Sequence, residues 1–90
     1  MEKIITAVDR IDAKNAADFE RDLLNCAEEV DTLIVDMQAT KYVSSVCLRA
    51  LLKAHKKMRS KQGEFILRNV NPPIMEILEV TGFAGNFNIE

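Results

Sequence analysis

A continuous apolar triplet, Leu33-Ile34-Val35, constrains the fold more than any other feature of this sequence. It lies in a segment from Thr32 to Asp36 that is too short for a helix and predicts a strand. Successive side chains of a strand point to opposite faces, so an unbroken apolar run requires burial on both faces. Such a strand is typical of the centre of a parallel sheet.

Three other short apolar segments predict the remaining strands of this sheet. Polar or turn residues bound each of them, and each is shorter than a stable helix. They run from Lys3 to Val8, from Glu64 to Asn69 around Phe65-Ile66-Leu67, and over Phe87-Asn88-Ile89.

The segment from Ala13 to Glu29 predicts the first helix, because its apolar residues recur at steps of three and four. Asp12 is its expected N-cap, since a carboxylate there can accept a hydrogen bond from a free N–H of the first turn. Asp9–Asp12 and Met37–Tyr42 are expected to be irregular connections. The apolar face of the helix comprises Ala16, Phe19, Leu23, Cys26 and Ala27.

Two further helices follow. Ser44 or Ser45 opens the second, which continues to about residue 61, and Gly63 is expected to end it in a left-handed conformation. The third begins at Asn71-Pro72-Pro73, because proline is tolerated in a first helical turn, and ends at Gly82. The expected buried side of the second helix comprises Leu48, Leu51, Leu52, His55 and Met58.

The elements therefore alternate as β-α-β-α-β-α-β. Alternating strands and helices imply right-handed crossovers onto a largely parallel sheet. We predict an α/β fold in which a single-layer, mixed and mostly parallel four-stranded sheet carries the helices. The chain of 90 residues is expected to form one domain, residues 1–90.

Composition excludes several classes of function. The net charge of −2 does not supply the basic stripe that a nucleic-acid-binding protein needs, so no nucleic-acid partner is expected. No apolar run approaches the roughly 18 residues of a membrane span, and direct membrane insertion is not expected. The N-terminal residues lack the apolar core of a signal peptide, which favours a cytoplasmic location.

The cysteines and the histidine do not form a recognisable reaction centre. Cys26 and Cys47 are the two cysteines, and His55 is the one histidine. His55 lies eight residues beyond Cys47 on one helix, a rise of about 12 Å, which is too far for a thiol–imidazole pair. We therefore expect no catalytic residues, no metal site, no cofactor and no enzyme activity, and we expect both thiols to serve as small apolar side chains.

The start of the second helix is the candidate functional region. A serine there can cap the helix, and the free N–H groups and the helix dipole also favour a phosphate. The helix that follows is basic, which indicates either a solvated face or a docking surface for an acidic partner. Arg49, one turn beyond the serines, is the basic residue most strongly implicated. The basic residues are Arg49, Lys53, Lys56, Lys57, Arg59 and Lys61.

Several segments, in this order, resemble the STAS domain, the family of anti-sigma factor antagonists and of the cytosolic domains of sulphate transporters. The resemblance covers nearly the whole chain, and its specificity comes from the combination of segments. The segments are Ile11-Asp12-Ala13, Leu33-Ile34-Val35-Asp36, Tyr42-Val43-Ser44-Ser45, Leu48-Arg49-Ala50-Leu51-Leu52, Val70-Asn71-Pro72 and Ile77-Leu78-Glu79-Val80-Thr81-Gly82-Phe83.

The resemblance implies a role for Ser45. In bacterial members the loop before the second helix reads Asp-Ser-Ser/Thr-Gly-Leu, and a partner kinase that also serves as anti-sigma factor phosphorylates the first serine. Aligned through Leu48, this chain has Ser45 at the phosphoacceptor position. It has Ser44 in place of the aspartate, Val46 in place of the second hydroxyl residue and Cys47 in place of the glycine.

Two main functions remain open at this point. In the first, the domain binds a regulatory kinase or anti-sigma factor in bacterial transcription regulation, and phosphorylation of Ser45 switches that binding. In the second, the domain is a non-phosphorylated scaffold or an accessory subunit of a membrane-transport or regulatory assembly. A small anionic ligand at the same helix start is a third hypothesis. The expected partner-binding residues are Ser44, Val46, Cys47, Arg49 and Lys53.

The resemblance also implies a free sheet edge. Members of the family usually have a further strand before the one that corresponds to Ile4, and this sequence shows no such segment. An uncovered edge strand can pair with another chain, so a homodimer through this edge is a further hypothesis.

Overall fold

A computed structural model describes residues 1–90 and confirms the predicted α/β architecture. Four strands form one sheet, in the order β1-β3-β5-β6, and every pairing within it is parallel. Two more strands, β2 and β4, form a separate parallel pair. The elements are β1 Glu2–Thr6, β2 Arg10–Ile11, α1 Ala16–Glu29, β3 Thr32–Asp36, β4 Tyr42–Val43, α2 Ser45–Ser60, β5 Glu64–Arg68, α3 Pro72–Val80, a 3-10 turn Phe83–Gly85 and β6 Asn88–Ile89.

The apolar triplet lies where its sequence predicts. β3 occupies the centre of the sheet between β1 and β5, and all three of its apolar side chains are buried. Leu33 and Val35 point into a core that α1, α2 and α3 share, whereas Ile34 is buried on the opposite face of the sheet and outside that core. No helix has the length and apolar character needed to cross a bilayer.

The pair formed by β2 and β4 corrects two predictions. Arg10 and Ile11 were expected within a connection, and so was Tyr42, but they pair in register as Arg10 with Tyr42 and Ile11 with Val43. Each strand has only two residues, one exposed and one buried, so no periodicity in the sequence reveals it. The pairing ties the chain before α1 to the chain before α2.

The first helix begins later than predicted. It starts at Ala16 rather than Ala13, and Asn15 rather than Asp12 occupies the N-cap position. The Asp12 carboxylate instead accepts a hydrogen bond from the N–H of Lys14 (2.9 Å), and the Asn15 side chain accepts one from the N–H of Asp12 (2.9 Å). These local bonds stabilise a turn that competes with helix over residues 13–15.

The end of α2 also differs from the prediction. The residue with a left-handed conformation is Gln62 (φ 63°), not Gly63. Gly63 is required for a different reason: a Cβ atom there would lie 2.6 Å from the carbonyl oxygen of Asp31 and 2.8 Å from Cε of Met58. The glycine therefore allows the chain after α2 to pass against the start of β3. At the end of α3, Gly82 has the expected left-handed conformation (φ 81°).

The substitution Gly63→Ala should destabilise the domain by about 1–3 kcal/mol. The new Cβ atom would clash with the carbonyl oxygen of Asp31, and a backbone atom cannot move aside as a flexible side chain can. Gly85→Ala is the matched control, since a Cβ atom at Gly85 would meet nothing within 4 Å. Urea unfolding of both variants measures the difference. Equal stability of the two would contradict the close approach at Gly63.

His55 lies half-buried on α2 beside Phe65 and Phe87, with ring centroids 6.0 and 5.5 Å away. Its Nδ1 atom is buried and has no hydrogen-bond partner. Burial, and secondly the positive charge of Arg59, lower the pKa of His55. The folded state therefore favours the neutral ring.

This lowered pKa predicts a pH dependence of stability. Below the ordinary histidine pKa of about 6.5 the unfolded chain binds more protons than the folded chain, so the free energy of unfolding should fall as the pH falls from about 7 towards 5.5. His55→Phe keeps an aromatic ring in the cluster and should remove this slope. Urea unfolding across that pH range tests it, and an unchanged slope in the variant would exclude His55 as the cause.

Candidate functional site

The start of α2 is built by Ser44. Its backbone is extended (φ −91°, ψ 169°), its N–H donates to the carbonyl of Ile11 (2.9 Å), and its carbonyl accepts the first helical hydrogen bond, from Leu48 (3.1 Å). Its hydroxyl oxygen accepts a hydrogen bond from the N–H of Cys47 (3.3 Å), which makes it the side-chain cap of the helix. Of the two serines considered for the helix start, Ser44 is therefore the cap.

Ser45 is the first residue of α2, and its side chain is exposed. Its hydroxyl makes no hydrogen bond within the chain, and the capping of the helix is performed by Ser44. An exposed and unengaged hydroxyl at this place is accessible to a visiting protein. No other segment of the chain covers Ser45.

The other predicted partner-binding residues divide into two groups. Arg49 is exposed, forms no salt bridge and lies one turn from Ser45 on the same face of α2, and Val46 is half-buried beside Ser45. Lys53 is exposed but forms an ion pair with Glu20 of α1 (3.3 Å). Lys53 thus contributes to the contact between the two helices, in contrast to the free guanidinium of Arg49.

Cys47 is fully buried. Burial raises the pKa of its thiol to about 12, so the group stays protonated at neutral pH. Its side chain packs into the core where no partner reaches it, and we exclude it from the interaction surface on which the sequence placed it. The structure supports the expectation that it serves as a small apolar residue. Cys26 is half-buried against the same core.

Two residues that sequence reasoning missed lie beside this helix start. Arg10 stacks its guanidinium over the ring of Tyr42, 4.2 Å from the centroid, and its Nε lies 3.2 Å from the carboxylate of Asp12. Hydrogen bonding to the N–H of Lys14 and to Arg10 lowers the pKa of Asp12. Tyr42 is 41 % exposed. The one sequence signal for this pair of strands is that each consists of a polar or aromatic residue followed by an apolar one, Arg10-Ile11 and Tyr42-Val43.

We define the Ser45 surface as the exposed or half-exposed side chains at this end of the molecule. Arg49, which forms no salt bridge, and the N-terminal dipole of α2 give it positive character, whereas the charge of Arg10 is paired with Asp12. The first turn of α2 contains no acidic residue. The Ser45 surface comprises Ser45, Ser44, Val46, Arg49, Arg10 and Tyr42.

The loop that leads to the Ser45 surface is held by side chains. The amide nitrogen of Asn71 donates to the carbonyls of Met37 (3.4 Å), Gln38 (2.9 Å) and Thr40 (2.9 Å). Thr40, the one fully buried polar residue, donates its hydroxyl to the carbonyl of Val8 (2.7 Å). Carbonyl groups that leave water on folding need such donors, and here they fix the course of the chain from β3 to β4.

Comparison with known proteins identifies the family. The sequence model of the STAS domain family matches residues 2–90 of this chain. The chain belongs to the STAS domain family. Among its relatives is BtrV of Bordetella bronchiseptica, which carries the name of an anti-sigma factor antagonist; it is 31% identical over 83 residues, which cover 88% of this chain and 69% of BtrV.

Solved STAS structures share the fold at low sequence identity. An anti-sigma factor antagonist from Mycobacterium paratuberculosis superposes with a TM-score of 0.85 at 21% identity, over 98% of this chain and 75% of that one. The anti-sigma factor antagonist SpoIIAA in its unphosphorylated form superposes with a TM-score of 0.84 at 14% identity, over 99% of this chain and 79% of that one. SpoIIAA from Bacillus in its phosphorylated form superposes with a TM-score of 0.76 at 14% identity, over 99% of this chain and 82% of that one.

In this STAS domain, the substitution Asn71→Ala should cost about 1–3 kcal/mol, because it leaves backbone carbonyls of the loop without donors. Asn86→Ala is the control, since the Asn86 amide makes a single surface hydrogen bond (3.4 Å). Chemical denaturation compares the two variants. Equal stability would mean that the Asn71 hydrogen bonds do not hold the loop.

Proposed function

We propose that this STAS domain acts as an anti-sigma factor antagonist. In this proposal it is cytoplasmic, performs no reaction itself, and binds a regulatory kinase or anti-sigma partner through the Ser45 surface. The observation that carries the proposal is the exposed, unengaged hydroxyl of Ser45 at the first position of a helix whose cap is already supplied by Ser44. The named function of BtrV supports it.

We further propose that phosphorylation of Ser45 switches this binding. A phosphate would add about −1.5 to −2 charges. In the free domain the N-terminal dipole of α2 and the nearby Arg49 would tolerate this charge. A docked partner would have to remove the phosphate from water, and the desolvation cost would weaken the complex. The existence of SpoIIAA in a phosphorylated form supports a switch of this kind.

In this mechanism the partner docks on the same surface that would carry the phosphate of Ser45. Tyr42 and Arg10 would contribute contact area on the side of β4 and β2, and Arg49 on the side of α2. An aromatic ring and a guanidinium are frequent anchors of protein interfaces, because both bury large areas and still form polar contacts. An acidic partner would complement the positive character of this end of the molecule.

A constitutive scaffold remains the second candidate function. By the resemblance described above, Ser44 stands where bacterial members have an aspartate and Cys47 where they have a glycine. The first turn of α2 contains no acidic residue, and the side chain of Cys47 is buried. In that case the Ser45 surface would bind its partner, in a regulatory or membrane-transport assembly, without modification.

Phosphomimetic variants separate the two functions. Ser45→Asp should raise the Kd for the partner about tenfold or more, which is ~1.4 kcal/mol, whereas Ser45→Ala should keep it unchanged. Ser60→Asp, the same substitution at the exposed far end of α2, is the charge control and should also leave it unchanged. The partner is the protein that co-purifies with the tagged domain, and isothermal titration measures the Kd.

The outcomes are distinct. Equal binding by Ser45→Asp and Ser45→Ala would exclude the switch and favour the scaffold. Incubation with a co-purified kinase and ATP adds a second readout: the switch requires a gain of one phosphate in the intact mass, and the Ser45→Ala variant must lose that gain.

We also propose that the domain forms a homodimer through the free edge of β1, away from the Ser45 surface. This dimer does not depend on the identity of the Ser45 partner.

A further inference from the structure

The free edge of β1 presents unpaired backbone groups. β1 pairs with β3 on one side and with no strand on the other. The carbonyl of Met1 accepts from Thr32 (3.2 Å) and the N–H of Ala7 donates to Asp36 (2.9 Å). Alternate residues of a parallel strand direct both groups to the same neighbour. The odd-numbered residues therefore face β3, and Glu2, Ile4 and Thr6 direct their N–H and C=O groups outwards.

Side chains on one face of β1 add an apolar contact to this edge. Ile4 lies in register with Ile34, which lies in register with Ile66. Ile34 and Ile66 are 1 % and 8 % exposed, but Ile4 is 47 % exposed. The row of isoleucines across this face thus ends at the free edge in the exposed side chain of Ile4.

The other face of β1 borders a groove. It lies between β1 and α1, has a volume of about 200 Å³, and is lined by Ile5 and Phe19 with Asp18 and Asp22 beside them. The two carboxylates share the single guanidinium of Arg21, at 3.1 and 3.6 Å. These two carboxylates and one guanidinium leave a net charge of −1 on this side of α1.

We propose that a second copy of this chain occupies the edge, by antiparallel pairing of the two β1 strands centred on Ile4. In this register Ile4 faces Ile4, and Glu2 of each copy faces Thr6 of the other. All the outward N–H and C=O groups of the three residues then pair, which gives about six hydrogen bonds between the copies. A shift by one residue would place groups that face β3 at the interface and would lose these bonds.

The same register brings complementary side chains together. Lys3 of one copy faces Ile5 of the other in a non-hydrogen-bonded pair, where the Cα atoms approach to about 4.5 Å. The aliphatic part of Lys3 would cover Ile5, and its ammonium group would extend towards Asp22 at the groove. The two-fold symmetry repeats this contact, so each copy supplies both the lysine and the carboxylate.

The observations favour a second copy over an unrelated peptide. A single five-residue strand carries the free edge groups, the exposed isoleucine at its centre and the lysine, and α1 of the same chain carries the matching negative charge. The pairing would also extend the isoleucine rows of the two sheets into one and reduce the exposure of Ile4. This interface uses no residue of the Ser45 surface, so it is independent of the proposed partner binding; it rests on the homodimer proposed above and specifies its register.

Charge exchange across the interface tests the proposal. Sedimentation velocity of the full chain should show a concentration-dependent dimer. Lys3→Glu and Asp22→Lys should each raise its dissociation constant about tenfold, because each replaces two attractive contacts by repulsive ones, and the double variant should restore it to within about threefold. A chain that stays monomeric at about 1 mM, or a double variant no better than the single ones, would overturn the proposal.

Hydrogen exchange tests the register independently of any substitution. As the concentration rises through the dissociation constant, the amides of Glu2, Ile4 and Thr6 should become protected, whereas those of Lys3 and Ile5, which already face β3, should not change. A dimer in which the amides of Glu2, Ile4 and Thr6 still exchange rapidly would use another surface and would refute this interface.

Discussion

The position of the Ser45 surface depends on how the chain leaves the centre of the sheet. β3 is buried on both faces, and the chain that follows Asp36 passes from buried Met37 through an exposed turn at residues 38–39 back to buried Thr40. Its carbonyl groups leave water on that path and need donors from elsewhere. Asn71, which precedes α3, supplies one amide to three of these carbonyls. The third helix thereby fixes the loop that leads to the second.

The two adjacent serines have different tasks because of this geometry. The chain arrives at Ser44 in an extended conformation, which is the conformation of an N-cap, and the hydroxyl of Ser44 is engaged by the N–H of Cys47. Ser45 then adopts helical geometry and directs its side chain to solvent. A carboxylate at position 44 would cap the helix in the same way. Serine at position 44 therefore caps the helix without placing a negative charge beside Ser45.

Local patterns in the sequence predict the four strands of the main sheet, the three helices and a serine at the start of α2, but they leave open which of the two serines is the cap. These features depend on apolar periodicity and on caps, which act over a few residues. The pairing of Arg10-Ile11 with Tyr42-Val43 depends on residues about thirty positions apart and has no local signature. The same holds for Gly63, whose neighbour Asp31 is distant in sequence, and for Lys53, whose partner Glu20 lies on another helix.

The separation of the two proposed interfaces has a structural basis in one short segment. β1 carries the edge that would pair with a second copy, and the chain then passes through Val8 to β2, which holds the start of α2 through the bond between Ile11 and Ser44. Within this segment the carbonyl of Val8 accepts the buried hydroxyl of Thr40. Because Thr40 is itself held by Asn71, a displacement of β1 on dimerisation would meet a fixed point before it reached Ser45. The contact of Thr40 with Val8 is buried and held by Asn71, so it favours independence of dimerisation and partner binding.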